Sequence, residues 1–222
     1  MKIHFLGIGG IGVSALARYY LSRGHLVTGS DFASSEITDS LKKDGAKISI
    51  GKNIIPKDAD LIIYSPAVTV RHPMSNMLSY PEALGQLTKE YFTIAVTGTH
   101  GKTTTTAMLA LILIKAGLDP TVIIGTKLKE FSNTNFRMGK SKYLLIEADE
   151  HFASFLNYWP RVLAITNIEA DHLDFYKNLK NIKIAFEKFI GHLPEDGILI
   201  TGNSVNKKEL LKVKKILKVP GD

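Results

Sequence analysis

The sequence predicts an α/β protein made of two consecutive parallel-sheet, nucleotide-binding units. Strand and helix signals alternate along its 222 residues, a pattern typical of parallel sheets covered by helices. The order strand, glycine turn, helix occurs twice, over residues 2–23 and again over residues 92–115. We therefore expect one domain over residues 1–91 and a second over residues 92–222.

Local signals place the elements of both units. In the first, the apolar strand Lys2–Leu6 leads into a helix from Ile11 to Arg23 that Gly24 ends, and Ser35 is typical of a helix N-cap. Further strands are expected at residues 26–30, 47–50, 61–64, 92–97, 121–124, 143–146, 162–166 and 198–201, and further helices at residues 35–44, 81–89, 103–115 and 181–190.

Composition excludes several classes of protein. Hydrophobic residues make up 45% and charged residues 22%, as in ordinary globular proteins. The chain has no cysteine, which excludes disulfide and thiolate chemistry and suits a reducing cytoplasm. The apolar N-terminus resembles a signal peptide, but His4 and four glycines interrupt it. No apolar run approaches the about 18 residues of a membrane span, so we expect a cytoplasmic protein without a membrane partner.

The net charge of +7 is concentrated at one end of the chain. Six lysines lie between Asn203 and Asp222, against two acidic residues. Between Lys207 and Lys218 they alternate with leucine, isoleucine and valine at roughly helical spacing, which indicates a solvated helix face more than a polyanion-binding tail. No nucleic-acid partner is expected.

The first glycine turn fits G-x-G-x-x-G with Gly7, Gly9 and Gly12, and Gly10 lies inside it. Glycines allow a sharp turn and let the backbone approach phosphate, while the following helix directs free N–H groups at the anion. Asp31 ends the second strand, where a ribose hydroxyl is bound in such folds. The first domain is thus expected to be Rossmann-like. NAD or FAD, another nucleotide, or a tight packing turn all remain open from these residues.

The second glycine turn resembles a P-loop, although Val96 occupies the place of its first glycine. Backbone N–H groups there can hold phosphates, Lys102 can reach the β and γ oxygens, and the Thr103 hydroxyl can hold Mg²⁺. A chance Gly-Lys-Thr is disfavoured by its position between a strand and a helix. The predicted ATP-binding residues are Gly98, Thr99, His100, Gly101, Lys102, Thr103 and Thr104.

Acidic residues follow two later strands. Glu147, Asp149 and Glu150 come after one strand, where a carboxylate would meet Mg²⁺ beside a P-loop. The segment Thr166–Asp174 leaves another strand and carries His172 among acids. Such residues are often only solvated, but the carboxyl ends of parallel strands are where these sheets place their sites.

Together these motifs resemble the Mur ligases of peptidoglycan synthesis, and within them the ligases that join L-alanine to UDP-N-acetylmuramate. The resemblance covers essentially the whole chain and rests on residues 4–12, 29–31, 97–103, 147–150 and 166–174, in the order of the family. It implies a Rossmann-like domain for the nucleotide sugar and a P-loop-like ATPase domain.

The resemblance also implies residue roles. Gly7, Gly9, Gly10 and Gly12 would hold the pyrophosphate of UDP-N-acetylmuramate, Asp31 would contact its nucleoside, and Ser65 would line the same pocket. Lys102 and Thr103 would bind ATP phosphates and Mg²⁺, Glu147 would share that metal, and His172 would hold a second one. Asn167 would lie at the reacting end of the substrate. Lys102, His172 and Asn167 are therefore the expected catalytic residues.

The implied reaction is amide formation through an acyl phosphate, with catalysis by positioning and charge neutralisation. His151 and Phe152 depart from the small or acidic residues usual in the family. Family members continue with more of the ATPase domain and a third domain, so we expect the second unit to be truncated. The chain alone should bind the nucleotide sugar but turn over weakly or not at all. In one explanation, a missing C-terminal half is supplied separately.

Three other functions fit parts of the sequence. An NAD-dependent oxidoreductase accounts for residues 1–90 but gives no reason for Gly101-Lys102-Thr103 or for the acidic clusters. A non-catalytic nucleotide-binding module fits the missing third domain. A recycling ligase that attaches a whole tripeptide differs only in the pocket for the incoming amine.

Overall fold

The computed structural model describes residues 1–70, 73–202 and the backbone of residues 216–218. Packing divides the chain into two compact units, one of Met1–Leu84 with Ile123–Met138 and one of Gly85–Val122 with Gly139–Asp222. The domain division predicted between residues 91 and 92 stays a prediction. Both units are α/β with parallel sheets, so the predicted fold class is confirmed.

The first sheet has the order β3-β2-β1-β4-β5, and all four neighbouring pairs are parallel. Its strands are β1 (Lys2–Leu6), β2 (Leu26–Asp31), β3 (Lys47–Ile50), β4 (Leu61–Tyr64) and β5 (Met77–Ser79), and its helices are α1 (Ile11–Ser22), α2 (Glu36–Lys43) and α3 (Tyr80–Glu90). The direction of winding reverses between β1 and β4. A ligand crevice forms at such a reversal in open α/β sheets.

Buried apolar strands and a side-chain cap on α2 explain several of these elements. Ile3, Phe5, Ile62 and Ile63 are fully buried, as expected for parallel strands covered on both faces. Ser35 caps α2 through a capping box in which Thr38 returns the hydrogen bond. The local sequence therefore fixes where α2 begins.

The second sheet has the order β12-β11-β10-β6-β9-β7-β8. Its strands are β6 (Phe92–Thr97), β7 (Thr121–Leu128), β8 (Thr134–Arg137), β9 (Tyr143–Glu147), β10 (Val162–Ile165), β11 (Ile198–Thr201) and β12 (Ile216–Lys218), and its helices are α4 (Lys102–Lys115), α5 (Leu173–Tyr176) and α6 (Leu179–Ile190). β6 is parallel to both β9 and β10. The carboxyl ends of these three strands therefore meet at one edge.

Most predicted elements are confirmed, with bounds shifted by a few residues. The sequence patterns missed the short elements β5, β8, β12 and α5, which have too few residues to show a periodicity. The predicted lysine-rich helix is wrong at Ile216–Lys218, because these residues pair in parallel with β11; residues 207–215 lie outside the described residues. Among the described residues, no helix is both long and apolar enough to cross a bilayer.

Candidate nucleotide-binding and active site

The first glycine turn needs glycine for both conformation and space. Gly7 has a φ of +71°, and a Cβ there would lie 2.9 Å from the Cβ of Ser65. A Cβ on Gly12 would lie 2.7 Å from the ring of Tyr80. The turn is therefore close-packed at the end of β1, next to the winding reversal, and it leads into the N-terminus of α1, where helix N–H groups can meet an anion.

Asp31 and Ser65, predicted for the same pocket, both lie against this turn. The Asp31 carboxylate accepts a hydrogen bond from the Gly9 N–H at 2.7 Å. Ser65 follows β4, and its N–H donates to the Leu6 carbonyl at 2.9 Å. Asp31 thus supports the loop itself. Its contact with a nucleoside stays a prediction.

The second glycine turn joins β6 to α4 through two glycines with positive φ, +133° at Gly98 and +78° at Gly101. A Cβ on Gly98 would overlap the Thr166 hydroxyl, whereas one on Gly101 would meet no atom within 4 Å. The loop is therefore packed tightly on one side and open above Gly101. This is the shape expected of a phosphate cradle. Thr104 is exposed in the first turn of α4.

Asn167 holds this loop in place. Its side-chain oxygen accepts from the His100 N–H at 2.9 Å, its amide nitrogen donates to the His100 carbonyl at 3.3 Å, and its own carbonyl accepts from the Thr99 N–H at 3.2 Å. The Thr166 hydroxyl donates to the His100 carbonyl at 2.6 Å. Asn167 therefore positions the second glycine turn in this structure. Its predicted place at the reacting end of the substrate stays a prediction.

Lys102 lies at the centre of the second site. Its ammonium donates to the Gly98 carbonyl at 2.9 Å and lies 2.7 Å from a carboxylate oxygen of Glu150. The Glu150 side chain is only 2% exposed. Burial raises the pKa of Glu150, and the hydrogen bond from Lys102 opposes that rise. The pair therefore keeps the Lys102 ammonium group beside the loop.

Thr103 and Glu147 form a neighbouring pair. The Thr103 hydroxyl donates to a Glu147 carboxylate oxygen at 2.6 Å, which links the start of α4 to the end of β9. A hydroxyl and a carboxylate beside a phosphate loop are the oxygen ligands that Mg²⁺ takes in nucleotide sites. The residues present therefore fit a magnesium ion, and the roles of Thr103 and Glu147 as its ligands stay a prediction.

His172 reaches the same edge from the loop after β10. Its Nε2 lies 3.6 Å from a Glu150 oxygen, and its ring stacks on His151 with centroids 4.1 Å apart. His172 has a φ of +47°, a conformation that is strained outside glycine and is often found at functional sites. Lys102, Glu150 and His172 thus form one cluster.

Sequence reasoning missed several residues of this site. The sequence indicates Glu150 only as one of three acidic candidates for Mg²⁺, whereas the structure places it between Lys102 and His172. The Tyr176 hydroxyl donates to the Glu150 carbonyl, and the Thr166 hydroxyl bonds the phosphate loop. Thr166 had a detectable signal in the sequence, because it directly follows the apolar strand β10. Glu150 had one because it lies shortly after Glu147, the carboxylate that ends β9. Tyr176 had none.

Replacing Tyr176 with phenylalanine tests the support of this cluster. Losing the hydrogen bond to Glu150 should lower the free energy of unfolding by about 1 kcal/mol at pH 8. Burial raises the pKa of Tyr176 to about 12. The wild type therefore loses stability as pH rises from 10 towards 12, because Tyr176 ionises readily only in the unfolded state. The variant lacks this hydroxyl and does not lose stability in this way. Urea unfolding should show a smaller difference at pH 10.5 than at pH 8; a constant difference would contradict this assignment.

The fold is α/β with parallel sheets, each entered through a glycine turn of the kind found in nucleotide-binding domains, and the chain belongs to the Mur ligase family. The model of the Mur ligase family catalytic domain matches residues 2–92, and that of the Mur ligase middle domain matches residues 96–219.

Among curated relatives, UDP-N-acetylmuramate–L-alanine ligase of Clostridium botulinum is 45% identical over 221 residues, covering 95% of this chain and 48% of that protein. The enzyme of the same name from Acetivibrio thermocellus is 46% identical over 210 residues, covering 89% and 44%. The chain spans about half the length of the curated relatives it matches.

Solved structures agree with this family. UDP-N-acetylmuramate-alanine ligase from Thermotoga maritima superposes with a TM-score of 0.81 at 33% identity, covering 100% of this chain and 53% of that one. A murein peptide ligase from Psychrobacter arcticus gives a TM-score of 0.82 at 29% identity, covering 98% and 52%.

Proposed function

We propose that this chain forms the nucleotide-sugar-binding and ATP-binding parts of a ligase that joins L-alanine to UDP-N-acetylmuramate through an acyl phosphate. The observation that carries the proposal is the cluster at the second glycine turn, where Lys102 and the Thr103–Glu147 pair lie beside one phosphate cradle. The names of the relatives, about half of whose length this chain covers, support UDP-N-acetylmuramate and L-alanine as the substrates. Both proposed nucleotides are consistent with a cytoplasmic location.

In the proposed reaction, the substrate carboxylate attacks the γ-phosphorus of ATP and releases ADP, and the amine of alanine then displaces phosphate from the acyl phosphate. Backbone N–H groups of the loop and the Lys102 ammonium bind the phosphate oxygens. Thr103 and Glu147 would hold Mg²⁺ and His172 a second cation, which would supply neutralisation of the developing charge when bound. Asn167 keeps the loop in its binding shape.

Lys102 must change partners for this to happen. In the structure it is held by Glu150 and by the Gly98 carbonyl. Phosphate oxygens offer the ammonium several charged acceptors, whereas Glu150 is buried and its pKa is raised by desolvation. Binding of ATP would therefore draw Lys102 towards the phosphates. Glu150 would then keep His172 as its neighbour, because the His172 Nε2 lies 3.6 Å from a Glu150 oxygen.

The test of the first site is a titration of the purified chain with UDP-N-acetylmuramate and, separately, with NAD. At about one hundred times its dissociation constant a ligand stabilises the folded state by roughly 2.7 kcal/mol, which a melting curve shows clearly. We expect the nucleotide sugar to stabilise the chain and NAD to have no effect. Stabilisation by NAD alone would overturn the assignment.

A matched pair of variants locates that binding. Ser65→Ala should weaken binding of the nucleotide sugar about fivefold, the loss typical of one hydrogen bond. Ser22→Ala is the control, because its hydroxyl donates only to the Tyr19 carbonyl at the end of α1. Equal affinities of the two variants would remove Ser65 from the proposed pocket.

For the second site, Thr103→Val should weaken binding of ATP with Mg²⁺, whereas Thr105→Val, two residues further along α4, should not. The valine keeps the shape of threonine but cannot ligate a cation. Isothermal titration with ATP, with and without Mg²⁺, separates the two contributions. If Thr103→Val binds MgATP as tightly as the wild type, Thr103 is not a metal ligand.

The structural similarity to a murein peptide ligase supports a second candidate, attachment of a peptide in place of alanine. Phosphate release by the whole protein that depends on L-alanine would favour the first candidate, and release that depends on a tripeptide would favour the second. Weak turnover by the 222-residue polypeptide alone stays a prediction, which robust alanine-dependent phosphate release would contradict.

A further inference from the structure

Tyr80 lies at the carboxyl edge of the first sheet, directly after β5 and at the start of α3. Four strands reach this edge in the order β2-β1-β4-β5, and all of them are parallel. The residues at their carboxyl ends therefore form one row of Asp31, Gly7, Ser65 and Tyr80. Neighbouring strands are about 4.8 Å apart, so this row extends over about 14 Å. The roles proposed above for the crevice involve the first three residues of the row and not Tyr80.

The ring of Tyr80 packs against the first turn of α1. A Cβ built on Gly12 would lie 2.7 Å from the Cζ of Tyr80 and 2.9 Å from its hydroxyl oxygen. Because the Cα–Cβ bonds of a helix tilt towards its N-terminus, the hydroxyl lies beside the N-terminal end of α1. Glycine at position 12 therefore leaves the space in which the phenol reaches this helix end.

The N-terminal end of α1 suits an anionic group. The helix is 12 residues long, its first turn contains no acidic residue, and no side chain of the described residues caps it at Gly10. Free N–H groups and the helix dipole favour a phosphate at such an end. Ser65 approaches from the side of the glycine turn, since its Oγ would lie 3.7 Å from a Cβ on Gly7 and 3.9 Å from one on Gly10. The hydroxyls of Ser65 and Tyr80 therefore flank one helix end.

We propose that the Tyr80 hydroxyl binds the sugar-side phosphate of a nucleoside diphosphate sugar, and so gives this crevice a preference for diphosphate over monophosphate ligands. The inference rests on the proposed binding of UDP-N-acetylmuramate. With the nucleoside at Asp31, the ligand extends along the row, and its first phosphate meets the glycine turn. The second phosphate lies further along, between Ser65 and Tyr80. An O–H group that donates to a charged phosphate oxygen makes one of the stronger hydrogen bonds in proteins.

The test is calorimetric titration of the purified chain with UDP-N-acetylmuramate, UDP and UMP. Tyr80→Phe removes only the hydroxyl. It should weaken binding of the two diphosphates about 10-fold or more, the effect of one hydrogen bond to a charged group, and leave the affinity for UMP unchanged. Tyr143→Phe is the matched control, because Tyr143 begins β9 and packs edge-on against Phe92 in the second unit. Unchanged UDP affinity in Tyr80→Phe, or equal losses for UDP and UMP, would overturn the proposal.

Gly12→Ala tests the same contact from the helix. Its Cβ would displace the Tyr80 ring, a movable side chain, while alanine is a good helix former, so the variant should fold. UDP binding should weaken as in Tyr80→Phe, and the double variant should bind UDP little worse than either single one, because both changes remove one contact. Additive losses would refute the role of Tyr80. Failure of the unmodified chain to bind UDP-N-acetylmuramate would instead refute the proposed function.

Discussion

Gly98→Ala is expected to lower the free energy of unfolding by at least about 3 kcal/mol. A Cβ there would overlap the Thr166 hydroxyl and lie 2.9 and 3.0 Å from the carbonyl oxygen and nitrogen of Asn167. Main-chain atoms cannot move aside as a side chain can, and the φ of +133° is itself unfavourable for alanine. Urea unfolding followed by the fluorescence of Trp159, the single tryptophan, reports on this unit.

Gly101→Ala is the matched control for that experiment. Gly101 lies in the same loop with a φ of +78°, but a Cβ there meets no atom within 4 Å. Only the cost of a left-handed backbone remains, about 1–2 kcal/mol. Equal losses in the two variants would show that Thr166 and Asn167 do not confine the loop. ATP affinity should fall more in Gly98→Ala, because the loop that holds phosphate is displaced.

Lys102→Met is expected to cost about 3–5 kcal/mol of stability at pH 8, the range found when one partner of a buried ion pair is removed. Glu150 would remain as a buried carboxylate without its cation, and burial already raises its pKa. The folded variant therefore binds a proton more readily than the unfolded chain. Its stability should rise as pH falls towards the ordinary pKa of glutamate, so the deficit at pH 5.5 should be smaller than at pH 8.

The double variant Lys102→Met with Glu150→Gln separates charge from packing. It removes both charges, so most of the lost stability should return, while ATP binding stays lost because the phosphate-binding ammonium is absent. Urea unfolding at the two pH values and titration with ATP measure these effects. If the loss of stability in Lys102→Met does not depend on pH, Glu150 is not the group that causes this loss.

The sequence by itself determined the α/β class, both glycine turns and most strands and helices. These features depend on neighbours within a few residues: apolar runs for β1 and β6, the Ser35 cap for α2, and glycine where the backbone must turn sharply. The family pattern also followed from the sequence, because its motifs are short and occur in a fixed order.

Only the tertiary structure decided which side chains meet. Lys102 and Glu150 are 48 residues apart in the chain. Asn167 accepts a hydrogen bond from the His100 N–H, which lies 67 residues earlier. The order of strands β10, β6 and β9 brings these residues to one edge. The same folding buries Glu150 and stacks His151 on His172. Local sequence propensities do not predict such pairings, because the pairings arise from the packing of strands that are distant in the sequence. Burial then sets the charge balance of the site.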